Sequence, residues 1–239
     1  MKKRQPPPSV FAIGRMSSLK EYIRFKPECI ESVSCPPAMI STIGLALREA
    51  GRDDLIPAEG REGQRDDDGV SFRVRLRTHG EETLLADLPP ESDVLLALDQ
   101  VTDPRNLGAI IRTAAWFGVR NVIAGARRQV LLTPASVATS QGGFSLVRLI
   151  EVVNTGRILA RLKEHGYWIL GADAGGEDIS QVRGRYEKVC LVLGSEEKGL
   201  SKGIRQKCDL LVAAGANPGP IDSLNVAVAA GICLHELCK

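Results

Sequence analysis

At 239 residues, and with roughly 150 residues to a domain, the chain is expected to form one large domain or a small one ahead of a medium one. Apolar content of 44% with 25% charged residues excludes a disordered chain, a collagen-like repeat and a coiled coil, and aromatic content of only 4% calls for an aliphatic core. The formal net charge is +2, from 31 basic against 29 acidic residues, so any basic surface that serves nucleic acid has to be local.

Residues 1–9 read as a flexible tail, because Pro6, Pro7 and Pro8 cannot enter a helix or a sheet interior. The basic start Met1-Lys2-Lys3-Arg4 runs into these prolines instead of an apolar segment, so it is not a secretory signal, and no run of about 18 apolar residues follows that could span a membrane. The six cysteines never form C-x-x-C and the three histidines lie far apart, which argues against a metal site. Four of the cysteines fall in apolar runs. A reduced, cytoplasmic protein is the expectation.

From Val10 the pattern predicts a helix over Ser18–Phe25, a strand over Ile30–Ser34 and a helix from Ala38 to Ala50 closed by Gly51. Arg52–Gly69 carries seven acidic residues and three arginines with no apolar period, and reads as a solvated loop. Val70–Thr78 alternates strictly, with Phe72, Val74 and Leu76 on one face and Arg73, Arg75 and Arg77 on the other. Such an arginine row is either an ordinary solvated strand face or a surface that tracks a phosphate backbone. The double proline at Pro89-Pro90 marks a boundary between a small α/β unit, residues 10–88, and a larger one, residues 93–239.

In the larger unit, strand-like runs at Val94–Leu98, Asn121–Ala124, Trp168–Gly171, Val189–Leu193 and Leu210–Ala213 alternate with helical stretches at Leu107–Phe117, Ile158–His165 and Val226–Leu237. Apolar strands separated by helices predict an α/β fold, a parallel sheet with helices on both faces, whose ligands bind beyond the carboxyl ends of the strands. The segments that follow the strands therefore hold the candidate chemistry.

After Val94–Leu98, Asp103-Pro104 makes a turn and Asn106 is placed to cap a helix that presents Arg112 away from its apolar side. Asp103 to Arg128 holds five arginines and one acidic residue, a local basic face. After Val189–Leu193, Gly194-Ser195-Glu196-Glu197-Lys198-Gly199-Leu200-Ser201 imitates a phosphate-binding loop but has Leu200 where the lysine must stand, which excludes ATP or GTP. No G-x-G-x-x-G follows a strand, which removes the main ground for a dinucleotide. After Leu210–Ala213 comes a Gly/Pro-rich segment and then Ser223-Leu224-Asn225, where Ser223 taken alone reads as an N-cap.

Three segments, N-L-G-x-x-x-R-T-A-x-x-F-G from Asn106, L-G-S-E-x-x-G-L from Leu193 and S-L-N-V-A-V-A-A-G-I from Ser223, occur in this order. Together they resemble the SpoU (TrmH-like) family of RNA 2′-O-ribose methyltransferases of the SPOUT superfamily, over roughly residues 93–239. The resemblance implies a C-terminal deep trefoil knot, an exception to the unknotted rule, preceded by a small α/β RNA-binding domain. It implies S-adenosylmethionine (S-adenosyl-L-methionine) as cofactor, held by Leu193, Gly194, Gly199, Gly215 and Leu224, and a homodimer packed through the knot. The substrate it implies is an RNA, rRNA or tRNA, gripped by Arg73, Arg75, Arg77, Arg105, Arg127 and Arg128, with no metal and no membrane partner. Arg112 is the residue the family assigns to activating the ribose hydroxyl, either as base or, given a guanidinium pKa above 12, as a stabiliser of the developing alkoxide. Asn106, Glu196, Ser223 and Asn225 complete the catalytic set. One departure stands out: Gly215-Ala216-Asn217 occupies the place of the family's common Ile-Pro-Met. Two alternatives are a non-catalytic RNA-binding protein with a degenerate cofactor site, which would bind no S-adenosylmethionine, and an α/β enzyme acting on a small nucleotide, which would have no use for the arginine rows.

Overall fold

The computed structural model describes residues 9–60, 68–126, 131–215 and 223–239. Arg127, Arg128, Ala216 and Asn217 lie outside the described residues, as does most of the N-terminal tail.

The first unit is a four-stranded sheet in the order β1-β4-β2-β3, from β1 (Ser9–Gly14), β2 (Ile30–Cys35), β3 (Ala58–Glu59) and β4 (Ser71–Leu76), with helices α1 (Met16–Phe25) and α2 (Pro37–Glu49). The alternation in β4 holds: Phe72, Val74 and Leu76 are buried with Leu19, Tyr22, Ile43 and Leu47, while Arg73, Arg75 and Arg77 are exposed. The Tyr22 and Phe72 rings meet edge to face at 5.7 Å.

The segment from Arg52 is not wholly solvated. The Arg52 side chain is only 17% exposed, and its Nη1 donates to the carbonyls of Pro27 at 2.5 Å and Ile30 at 2.7 Å, while Nε and Nη2 grip Asp54 at 2.8 Å each. A five-donor fork can satisfy two carbonyls and a carboxylate at once, so this arginine staples the turn before β2 to the end of α2. Composition alone hides such a role.

The second unit is a six-stranded parallel sheet in the order β10-β8-β9-β5-β6-β7. Its strands are β5 (Asp93–Leu98), β6 (Asn121–Gly125), β7 (Arg148–Val152), β8 (Trp168–Asp178), β9 (Lys188–Leu193) and β10 (Leu210–Ala213). Helices α3 (Glu81–Ala86), α4 (Pro104–Trp116), α5 (Pro134–Thr139), α6 (Thr155–Glu164), α7 (Lys202–Arg205) and α8 (Val226–Leu237) connect and cover them. Leu96, Leu98, Leu191 and Leu193 pack with α4 and α8 on one face, and Leu95, Ala97, Cys190 and Val192 with α6 and α7 on the other. Consecutive residues of one strand thus bury on opposite faces, which explains why these strands read as unbroken apolar runs.

Five of the six strands follow the sequence prediction within a residue or two at each end, except that β8 runs on to Asp178. The predicted strands omit β7, whose Arg148 and Glu151 disguise it. Arg148 is bound by Asn121 and Asp87, and Glu151 accepts from Thr78 Oγ1 at 2.8 Å. This strand lies at the sheet edge, which the chain at His79 covers. The chain between the units is fixed there too: His79 N donates to the Leu149 carbonyl at 2.8 Å and the His79 carbonyl accepts from Glu151 N at 2.7 Å. One apolar cluster runs through both units, from Phe11 and Tyr22 to Ile111 and Phe144.

Arg52→Ala is expected to lower unfolding free energy by about 1–3 kcal/mol, because the carbonyls of Pro27 and Ile30 lose their charged Arg52 donor. Arg48→Ala, which breaks an ion pair exposed on both sides, should stay within about 0.5 kcal/mol of the parent. Urea unfolding of the two variants beside the parent checks the difference.

Candidate active site

In the parallel sheet the chain leaves β5 for β6 and β7 on one side, then crosses to lay β8, β9 and β10 on the other. The loops after β5 and β9 therefore part at a topological switch point, the crevice where such sheets bind ligands. Both loops are firmly held. Asp99, buried at the exit of β5, donates its N–H to the Leu193 carbonyl at 2.8 Å, and its Oδ2 accepts from Ser201 N at 2.7 Å.

The segment after β9 closes on itself. Ser195 N donates to the Gly199 carbonyl at 3.0 Å and Gly199 N to the Ser195 carbonyl at 2.9 Å, with Lys198 N on Ser195 Oγ at 3.2 Å. A Cβ on Gly194 would stand 2.2 Å from the Gly199 carbonyl carbon and 2.4 Å from Leu200 N. Only glycine allows that approach.

Asn106 does not cap its helix. Asp103 does, its Oδ1 accepting from Arg105 N at 2.7 Å with Pro104 in the first helical position. The Asn106 side chain is thereby free to reach sideways. Its Nδ2 donates to Glu196 Oε1, and its Oδ1 accepts from Asn225 Nδ2 at 3.1 Å; Asn225 Nδ2 also reaches Glu196 Oε1, at 2.9 Å. Asn225 is itself the cap of α8, its Oδ1 accepting from Ala227 N at 2.9 Å and Val228 N at 3.4 Å. Ser223, expected as the cap, lies two residues before it. One carboxylate oxygen thus receives two amide donors from segments 90 and 29 residues away in sequence.

Helix α4 presents the rest. Gly108 lets it press against α5, since a Cβ there would lie 2.5 Å from the Ser136 carbonyl oxygen. Arg112 stands six residues beyond Asn106, about 9 Å along the axis, exposed and without an ion pair among the described residues. Arg105 is exposed in the first turn of the same helix. The thiols take no part: burial pushes Cys233 up to about 12 and Cys208 and Cys238 up to about 11, far from thiolate chemistry at neutral pH. Among the described residues no histidine, cysteine and carboxylate side chains gather into a metal-binding group.

Residues 93–235 match the SpoU rRNA Methylase family. The chain belongs to that family. It is 37% identical over 161 residues to an uncharacterised tRNA/rRNA methyltransferase of Mycobacterium ulcerans, a match covering 67% of this chain and 52% of that protein, so the chain spans about half the length of this curated relative. A TrmH-family protein from Porphyromonas gingivalis has the same fold with a TM-score of 0.71, 26% identity and coverage of 95% of this chain and 88% of the other. An AdoMet-bound rRNA methyltransferase from Sinorhizobium meliloti superposes with a TM-score of 0.75 at 22% identity, covering 95% and 86%.

Of the residues singled out from the SpoU motifs, the structure joins Asn106, Glu196 and Asn225 by hydrogen bonds. It places Gly194 and Gly199 on either side of Glu196, and Ser223 and Leu224 just before Asn225. Leu193 is buried in the sheet. Arg73, Arg75 and Arg77 stand apart, on the open face of the first unit. Asp99 is the positioning residue that motif reading missed; a lone acid closing the apolar run VLLAL was its only signal.

Gly194→Ala is expected to force the loop after β9 open at a cost of about 1–3 kcal/mol, the range for overpacking at a tight contact. Chemical denaturation beside the wild type measures it, and an unchanged midpoint would contradict the close approach described above.

Proposed function

We propose that the chain transfers a methyl group from S-adenosylmethionine to a ribose 2′-hydroxyl of rRNA or tRNA. The observation that carries this reading is the single hydrogen-bonded junction of Asn106, Glu196 and Asn225, one residue from each motif segment, with Arg112 on the same helix as Asn106.

The residues present fit the cofactor. Among the described residues nothing stands within 4 Å of where a Cβ on Gly199 or Gly215 would lie, and the exposed Leu224 offers an apolar surface for an adenine ring. Backbone groups of Gly194 and Gly215 would hold the adenosine; the Leu193 carbonyl already accepts from Asp99, and the N–H and carbonyl of Gly199 are both spent on Ser195, so Gly199 would serve as the open floor of the loop. When bound, S-adenosylmethionine supplies a sulfonium methyl group, electrophilic enough that the protein's task is positioning. Arg112 keeps its charge at any physiological pH, so its part is to hold the hydroxyl oxygen and stabilise negative charge as it develops, with solvent taking the proton. The Asn106–Glu196–Asn225 junction fixes the start of α4, and with it Arg112, relative to the loop that holds the cofactor.

The arginine face of β4 supports an RNA grip by the first unit. Arg73 has no ion pair among the described residues, whereas Arg75 is engaged by Glu31 at 2.6 Å. The seat of α8 beside α4 in the middle of the sheet, although the strand before it, β10, lies at the edge, supports the knotted C-terminus. Trp116 on α4 is 86% exposed and Val228 on α8 is 52% exposed, with Ile232 one turn further on. Four-residue spacing puts Val228 and Ile232 on one face. Exposed large apolar side chains on neighbouring helices support the homodimer, with that face as its contact. The competing reading, an RNA-binding protein without catalysis, draws on Gly215-Ala216-Asn217, and calorimetry with S-adenosylmethionine separates the two by the presence or absence of binding heat.

Arg112→Ala is expected to lose about 100-fold or more in methyl transfer, the scale of removing one oxyanion-type donor, while still binding the cofactor. Transfer from labelled S-adenosylmethionine to under-modified RNA, followed by nucleoside mass spectrometry, reads both the rate and the 2′-O-methyl product. Paired Val228→Asp and Ile232→Asp substitutions are expected to yield monomers by light scattering, with wild type at twice that mass.

A further inference from the structure

A cleft of about 850 Å³ opens between the two units. Its walls include Arg120 and Arg148, at the entry ends of β6 and β7, whereas the Asn106–Glu196–Asn225 junction lies beyond the exit ends of the parallel strands β5 and β9. The two places are thus separated by about a strand length, ~17–20 Å.

Five cationic side chains line the cleft, Lys26, Arg75, Arg77, Arg120 and Arg148, against the two carboxylates of Glu28 and Asp87. Arg148 is held by Asp87 and Asn121, and Arg75 by Glu31. Lys26, Arg77 and Arg120 have no side-chain hydrogen bond or ion pair among the described residues. Their field is felt by a neighbour: burial first, then the charges of Lys26, Arg77 and Arg148, bring the His79 imidazole down to about 4, so it adds no charge of its own at neutral pH.

Two further features are not explained by an anion alone. Ser145 lines the cleft at 7% exposure with its Oγ covered and without a hydrogen-bond partner among the described residues, a state that buried hydroxyls rarely keep. Phe25 exposes its ring on the rim with the Arg24 guanidinium 4.9 Å from its centre, and Leu146 lines the same cleft. Unpaired cations, an unsatisfied hydroxyl and an exposed aromatic ring are the three kinds of group that hold a phosphate, a sugar or base edge, and a base face.

We infer that this cleft binds a nucleoside phosphate, one unit of the RNA strand other than the nucleotide at the Asn106–Glu196–Asn225 junction, a source that rests on the RNA substrate proposed above. The phosphate lies against Lys26, Arg77 and Arg120, the base stacks on Phe25, and rotation of the Ser145 side chain toward the ligand gives its covered hydroxyl the partner it lacks. The cleft joins the first unit's arginine row to the sheet of the second, so an RNA seated there crosses both units.

The test uses the full chain, a fluorescein-labelled single-stranded RNA 12-mer and free UMP. Arg120→Glu is expected to weaken RNA binding at least tenfold and to flatten the logarithmic salt dependence by about one phosphate contact. Phe25→Ala should weaken it by about 5- to 150-fold, the range for a lost stacking contact. Ser145→Ala should weaken it less, and calorimetry should give all three the wild-type affinity for S-adenosylmethionine. Loss of UMP binding with RNA binding intact would identify a free nucleotide as the source of the phosphate. Wild-type affinity for both ligands in all three variants would overturn the assignment. Methyl transfer on the same samples keeps the two readings apart: transfer with undiminished RNA affinity in the variants removes the cleft and leaves the reaction, and cleft-dependent RNA binding without any transfer does the reverse.

Discussion

A single carboxylate oxygen holds the candidate site together. Glu196 Oε1 accepts from Asn106 and from Asn225, and Asn225 spends its remaining oxygen on the first turn of α8. Hydrogen bonds to an ionised acceptor are stronger than neutral ones, and here they also decide geometry. The start of α4, the loop after β9 and the start of α8 cannot move independently while this junction is made. Arg112, exposed and without an ion pair among the described residues, stands on the helix that this junction fixes.

The sheet makes the junction possible. Because β5 and β9 are neighbours and parallel, the loops that leave them emerge side by side, and Asp99 binds both the end of β9 and the residue after the glycine loop. Glycine supplies the remaining precision: Gly194 lets the loop fold against its own backbone, and Gly108 brings α4 down onto α5. The geometry is built from short-range packing, with the chemistry confined to a few polar side chains placed at the switch point.

The first unit is more than an appendage. Its apolar cluster continues into that of the second, and the segment through Thr78 and His79 bonds directly to edge strand β7. The cleft between the units gathers cations from both, and burial, reinforced by those charges, keeps the half-buried His79 neutral. Charge that nearly cancels over the whole chain is therefore strongly uneven in space.

The sequence by itself determined the apolar strands, the alternation that turns three arginines of β4 outward, the long helices, and the identity of the residues in the three motif segments. Those follow from periodicities of two and 3.6 residues, which are local. Tertiary structure alone decided that Asn106 reaches across to Glu196 and Asn225 while Asp103 caps its helix, because partners 90 and 119 residues apart meet only once the strand order is set. It also decided that β7 is a strand despite its charges, that Arg52 is a staple within an acidic stretch, and that Lys26, Arg77 and Arg120 share one cleft. In each case a polar side chain finds its partner, or its fellow cations, on a distant element, and no local pattern can carry that information.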